Sequence, residues 1–311
     1  MLKIGLVVDA GCDLPDAYLE AHGIRILPSM LQCDGKSWLD ERDPAQTMML
    51  YRRYIADRSI EAQSSACSAA EIREIFLQEL VVDYDRVLVI TAGAAYTDMF
   101  ARATEASYGI LQSYRERRAE QSHTGGFSLR VLDTGSLCAG EAVLVCRALQ
   151  LLDERRLAFE ALRRQLRDEA ARTSCMLVPG DPWYLRHRGL DGRNSGLPRG
   201  AYALGLVAGL RPVIEIVGGR QQVIARPRGF QAACAAALAR AERAVRRAPG
   251  APALVLSFGG DPRVIREMPA YRELEASAAS AGIELHVSVM SATMGARLGP
   301  GTLSVAWLDP A

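Results

Sequence analysis

Residues 182–193 read PWYLRHRGLDGR and bring Arg186, His187, Arg188 and Arg193 close together in a chain whose formal net charge is only +1. Guanidinium groups on irregular backbone are suited to taking the oxygens of a phosphate or carboxylate in bidentate fashion. Gly189 and Gly192, followed by Asn194, Ser195 and Gly196, mark that irregular backbone. The plainer reading is a solvated basic surface, the usual fate of an Arg-rich segment. Position and company must decide between the two.

A second group of residues with chemistry to offer follows the strand-like runs: Asp9 to Asp13, Ser64 to Ser68, Thr91 to Thr97 and Asp133 to Gly140. Open parallel sheets bind ligands at the carboxyl ends of their strands, so these segments are where a ligand belongs. They supply small residues and hydroxyls: Ser64 and Ser65, Thr91, then Gly93, Ala94, Ala95 and Thr97, with Gly140 opening a later helix. Small side chains leave room, while hydroxyls and helix-start amides hold an anion such as a carboxylate. Taken singly, each is more often a cap or a turn former than a ligand. Their convergence on one sheet edge carries the expectation.

Several chemistries lose their warrant. No segment carries GxGxxG or GxxxxGK[ST], and GxSxG and HExxH are absent too, which argues against a nicotinamide enzyme or a self-sufficient ATPase. Seven cysteines without CxxC spacing read as reduced thiols of a cytoplasmic protein, and the four histidines lack ligand spacing. Neither a metal nor a cofactor is expected. Lys+Arg 37 against Asp+Glu 36 gives no general field to gather nucleic acid. The most lipid-like stretch, AYALGLVAGL from Ala201, ends at Arg211, about half the roughly twenty residues a bilayer requires, so no integral membrane segment is expected. The opening MLKIGLVVDAGCDLP has no basic leader or cleavage site and reads as a buried strand.

The elements that must position these residues follow from periodicity. LKIGLVV, IRILPSMLQ, RVLVITA and LRVLD alternate with helical stretches near 44–56, 69–81, 98–119 and 139–152, which implies a mostly parallel sheet covered by helices. Asp43 before Pro44 and the capping box from Ser68 to Glu71 mark two helix starts. Later come a hairpin turned at Gly218 and Gly219, an Ala-rich helix over 230–247, the runs APALVLSF and GIELHVSVM around a helical 263–280, and LSVAWLD. The expected architecture is α/β, with an N-terminal, mostly parallel sheet flanked by helices over residues 1–165 and a smaller C-terminal mixed α/β domain over 166–311.

In this order the motifs resemble those of the DegV family. VVDAGCDLP at 7–15 is similar to that family's opening V-x-D-S-x-A-D-L-P, and WLDERDP at 38–44 to its acidic D-x-x-x-P stretch. QSSACS at 63–68 resembles K-T-S-Q-P-S, and GAAYTDMF at 93–100 lies over S-S-x-L-S-G-T-Y. VLDTGSLCAGEA at 131–142 resembles V-I-D-S-x-x-x-S-x-G-x-G, YLRHRGLDGR at 184–193 the Y-L-x-R-G-G-R region, and LGPGTLSVAW the terminal T-G-P-G-A-L-G. Order and spacing together are more specific than any single motif, and they span nearly the whole chain.

The family includes the fatty-acid-binding subunits of bacterial fatty acid kinases. The resemblance implies a lipid slot in the N-terminal domain, the fatty acid carboxylate being held by the hydroxyls of Ser64 and Thr97 with Ser65 and Gly93 beside them. It further implies a separate ATP-dependent kinase subunit as partner, with acyl phosphate as product and no catalysis by this chain alone. Arg186, Arg188 and Arg193 would then meet the phosphate or the partner, and Arg193 and Arg297 the phosphoryl group. Arg297 stands where the family's H-T-G-P-G has histidine, and arginine stays charged and cannot act as a base. Ala10 for Ser and Cys67 for Pro are further departures. Two other readings stand beside this one: a stand-alone lipid carrier or sensor, and an enzyme on a small phosphorylated metabolite whose arginines grip substrate.

Overall fold

The computed structural model describes residues 2–123, 125–154, 157–189, 209–247 and 251–310. Unbroken apolar runs become strands covered on both faces. β1 (Ile4–Asp9) and β6 (Arg86–Thr91) are buried along nearly their whole length. With β2 (Arg25–Leu27) and β7 (Ser128–Asp133) they form a parallel sheet in the order β2-β1-β6-β7. Alternation divides its residues between two cores. Val7, Val87 and Val89 face the helices Ala69–Ile75 and Met99–Gly109, whereas Leu6, Val8, Leu88 and Ile90 face the helix Ala139–Asp153.

The run IRILPSMLQ is not one strand. Pro28 has no N–H to give to a ladder, and the chain leaves the parallel sheet there. β3 (Ser29–Cys33) instead pairs antiparallel with β4 (Lys36–Asp40) and β5 (Ala62–Ala66), making a three-stranded sheet in the order β4-β3-β5.

The second half contains the mixed sheet that the sequence implies. β8 (Thr173–Val178), β9 (Val213–Val217), β10 (Arg220–Ala225), β11 (Leu254–Phe258), β12 (Leu285–Val289) and β13 (Leu303–Leu308) lie in the order β10-β9-β8-β13-β11-β12, and only β11 and β12 are parallel. Its six strands make it wider than the four-stranded parallel sheet. Phe230–Arg247 and Pro269–Ser280 cover one face. The helix Ala139–Asp153, buried at every position from Ala139 to Cys146, fills the space between the two large sheets, as an all-round apolar helix must.

Both anticipated helix starts are present. Asp43 accepts from the Gln46 amide at 2.6 Å, and Ser68 and Glu71 form a reciprocal capping box. Each of these helices then widens into a π turn, Tyr51–Ile55 and Phe76–Leu80. Among the described residues no helix is long and apolar enough to cross a membrane. Most of AYALGLVAGL lies outside the described residues.

Candidate ligand site

The site is assembled around a short helix from late in the chain, Ala292–Leu298, which packs on β3 and β5. Its start is held by two buried carboxylates. Asp13 accepts from the Ser291 amide at 2.9 Å, and Asp40 accepts from both the amide and the hydroxyl of Thr293 at 2.7 Å. A side chain at Gly295 would collide with the Tyr51 hydroxyl, its Cβ lying 2.0 Å away, so only glycine permits this packing. Asp13 is itself paired with the buried Arg42 at 3.0 Å and accepts from Ser257 at 2.5 Å. Arg42 also donates to the carbonyls of Leu14 and Val289. Burial raises the Asp13 pKa even so.

Arg297, near the end of the helix, joins two segments. Its Nε donates to Ser64 Oγ at 2.8 Å, Nη2 to the Ser64 carbonyl at 2.8 Å, and Nη1 to the Tyr96 carbonyl at 2.7 Å. Ser64 Oγ in turn donates to the Thr293 carbonyl. Strand alternation sends the next hydroxyl, Ser65, elsewhere. It lines a small cavity of about 10 Å³ with Asp9, Ser29, Thr97, Met99, Thr293 and Arg297. The hydroxyl that shares a cavity with Thr97 is therefore Ser65, while Ser64 belongs to a wider cleft. That cleft, of about 310 Å³, is bounded by Glu61, Gln63, Ser64, His187, Arg188 and Arg297.

Asp9 closes the floor of the small cavity at the carboxyl end of β1. Its two oxygens accept from the amides of Gly11 at 2.6 Å and Ala92 at 2.8 Å. Burial nevertheless pushes its pKa up to about 6, because the amide bonds only partly offset the loss of solvent. Thr97 is buried, and its hydroxyl accepts from the Met99 amide at the start of the helix Met99–Gly109. Glu141 is fully buried behind this region, with no hydrogen-bond partner for either carboxyl oxygen among the described residues, and burial holds its pKa well above the usual range. Neither Ser29 nor Thr293 was singled out by sequence. Asp9 was placed by its position at a strand end, and the Asp13–Arg42 pair has no sequence signal because charged residues normally read as surface.

The basic loop divides. Arg188 donates to the carbonyls of Ile55, Asp57 and Ile60, closing the end of the π turn Tyr51–Ile55, and its guanidinium lies over the rings of Trp183 and Tyr184. It also forms part of the wide cleft, as does His187, whose ring stacks on Trp183 at 4.4 Å. Arg186 is exposed and lines neither cavity. Arg193 lies outside the described residues. Gly93 is a close-approach residue: an added Cβ would sit 2.9 Å from the Gly135 carbonyl carbon, and it lines neither cavity. Among the described residues no group of His, Cys, Asp and Glu is arranged to hold a metal.

The family model described as "Uncharacterised protein, DegV family" matches residues 3–309. The chain belongs to the DegV family. A DegV domain-containing protein of Xanthomonas campestris pv. campestris is 32% identical over 306 residues, which cover 98% of this chain and 97% of that protein. Two solved structures share the DegV fold. A stearic-acid-binding protein from Eubacterium ventriosum superposes with a TM-score of 0.77 at 19% identity, over 99% of this chain and 98% of its own. DegV of Bacillus subtilis, a fatty acid binding protein, gives 0.76 at 15% identity over 100% of both chains.

Proposed function

We propose that the chain binds a long-chain fatty acid, with the carboxylate between Ser65, Thr97 and Arg297 and the acyl chain in the apolar layer between the parallel sheet and its helices over 69–83 and 99–109. The observation that carries this reading is a junction. Met99 and Ala66 line the small polar cavity and also pack with Val7, Leu27, Cys67, Ile72 and Phe76 in one apolar cluster. A pocket that is polar at its mouth and continuous with apolar side chains matches the chemistry of a fatty acid. The cavity is small, so an acyl chain must part that layer. About fifteen methylenes at about 0.8 kcal/mol each yield roughly 12 kcal/mol gross, enough to offset such opening and the ordering of the chain. Fatty acid binding by the Eubacterium ventriosum and Bacillus subtilis fold-mates supports the same reading.

Solvent extraction of the native protein followed by mass spectrometry tests it. A long-chain acyl species should be released, and the double substitution Ser65→Val with Thr97→Val should weaken its retention by about tenfold, as expected when two hydroxyl partners are lost. If no acyl species is released and added palmitate leaves the melting temperature unchanged, the lipid reading fails.

The family resemblance supports a further step, in which the bound carboxylate is presented to an ATP-dependent kinase subunit and leaves as acyl phosphate. In that step the wide cleft, with Arg297 and Arg188, takes the phosphoryl group, and Arg186 and Arg193 meet the partner. One observation favours the simpler role of a stand-alone carrier: the Arg297 guanidinium is engaged with Ser64 and Tyr96, and it cannot accept a proton. Hydroxylamine trapping of acyl phosphate after incubation with ATP and a fatty acid kinase subunit separates the two roles. All seven cysteines are free and buried, which supports a cytoplasmic location.

A further inference from the structure

Asp9 shares the small cavity with Ser65, Thr97 and Arg297, the three residues proposed for the head group. One of its oxygens holds the Gly11 amide and the other the Ala92 amide, so the carboxyl cannot turn from an incoming ligand without giving up a bond. A Cβ at position 11 would lie 2.8 Å from Asp9 Oδ1, and glycine there lets the carboxyl sit against the backbone. The cavity, of about 10 Å³, has room for about one water and none for a hydrated counter-ion. The charged and titratable groups around Asp9 are mostly acids. Asp13 and Asp40 repel it, and Glu141 and the Cys12 thiol also lie within its field. Of the cations, Arg42 is paired with Asp13, and Arg297 brings one positive charge to the cavity wall. One guanidinium balances one carboxylate, not two.

We propose that Asp9 is a further head-group ligand that binds as the protonated acid, its O–H donating to the ligand carboxylate so that the two carboxyl groups share one proton. Two carboxylates in one buried site cannot both stay ionised, and such a pair titrates as a unit. A protonated carboxyl gains one donor and keeps acceptor capacity, so the amides of Gly11 and Ala92 can stay bonded. The proton comes from solvent: one fatty acid anion and one proton enter together, and one of each leaves on release. Burial pushes the Asp9 pKa of the free protein up to about 6. Above that pH the free site is ionised, binding takes up a proton, and affinity falls as pH rises. At the ordinary value of 3.8 the same uptake would be about a hundredfold less favourable at neutral pH. Burial already favours the protonated form of Glu141, which leaves Asp9 as the group that titrates on binding. The pairing rests on the proposed lipid reading, because the ligand supplies its second carboxyl.

Calorimetric titration of the full chain with monomeric decanoate at pH 7.5, in phosphate and in Tris, counts the protons exchanged with buffer. Decanoate is ionised at that pH, so a proton taken up goes to the protein. Wild type should take up about one proton per ligand, and its Kd should rise about tenfold from pH 7 to pH 8. Asp9→Asn should take up none, with Kd constant to within about twofold, because its amide N–H donates to the ligand without titrating. Glu141→Gln should keep the wild-type uptake. A comparison within wild type needs no variant: decanol brings no charge and should bind without proton uptake. Decanoate binding with less than about 0.2 proton taken up overturns the pairing and leaves the lipid reading standing. Uptake that persists in Asp9→Asn, that vanishes in a folded Glu141→Gln, or that is equal for acid and alcohol also overturns it. If neither decanoate nor palmitate binds at any pH from 5.5 to 8, the lipid reading fails and the pairing with it.

Discussion

Raising the pH through the weakly acidic range should destabilise the protein through Asp9. That carboxyl is 2% exposed, and burial lifts its pKa from 3.8 to about 6 despite the amides of Gly11 and Ala92. Between those two values the folded protein holds a proton that the unfolded chain has released. Stability therefore falls as pH rises through this window, and the group contributes no penalty below it. A shift of about two units at 1.36 kcal/mol each amounts to roughly 3 kcal/mol. Asp9→Asn abolishes the titration and keeps one carbonyl oxygen for one of the two amides. The other amide loses its acceptor, a cost of about 1–3 kcal/mol that does not vary with pH. Urea unfolding of both proteins from pH 4 to pH 7.5 gives the comparison. The stability of wild type relative to Asp9→Asn should decline by about 3 kcal/mol across the range. A difference flat to within about 0.5 kcal/mol would refute the assignment of a raised pKa to this group.

Arg42→Met should destabilise by about 3–5 kcal/mol in urea unfolding, because it leaves Asp13 buried beside no cation, and adding Asp13→Leu should recover part of that loss. Gly93→Ala should lower stability by about 1–3 kcal/mol, since the new methyl meets backbone rather than a flexible side chain. An unchanged melting temperature in that variant would show that the contact with Gly135 yields.

Much of the fold was readable because it rests on local signals. The doubly covered strands β1 and β6 are continuous apolar runs, the capping box at Ser68 and the Asp43–Pro44 start are explicit, and Gly218–Gly219 turns the β9–β10 hairpin with φ of 55° and 78°. The three-stranded sheet was not readable. KSWLD and AQSSA are short, partly exposed strands with little apolar content, and Pro28 hides a change of sheet inside what looks like one run. Of the candidate site, the sequence offers the hydroxyl segments but not their orientation: the choice between Ser64 and Ser65 depends on which face of β5 meets the helix Ala292–Leu298, a partner far away in sequence. The local pattern offers Arg188 as an anion ligand, and it does line the wide cleft, but the three carbonyls it also meets lie 128 to 133 residues earlier, beyond the reach of any local pattern.

The bond from Arg297 to Tyr96 spans 201 residues, and that to Ser64 spans 233. At a synthesis rate of roughly 5–20 residues per second, the interval between making Tyr96 and making Arg297 is about 10–40 s. Once β7 has also been made, the nascent chain has every strand of its parallel sheet but neither the helix Ala292–Leu298 that packs on β5 nor the arginine that bonds Ser64 and Tyr96. The cavity beside Met99 then lacks the walls that Thr293, Met294 and Arg297 supply. Those walls arrive only once residues 292–298 have left the ribosome and docked on β3 and β5.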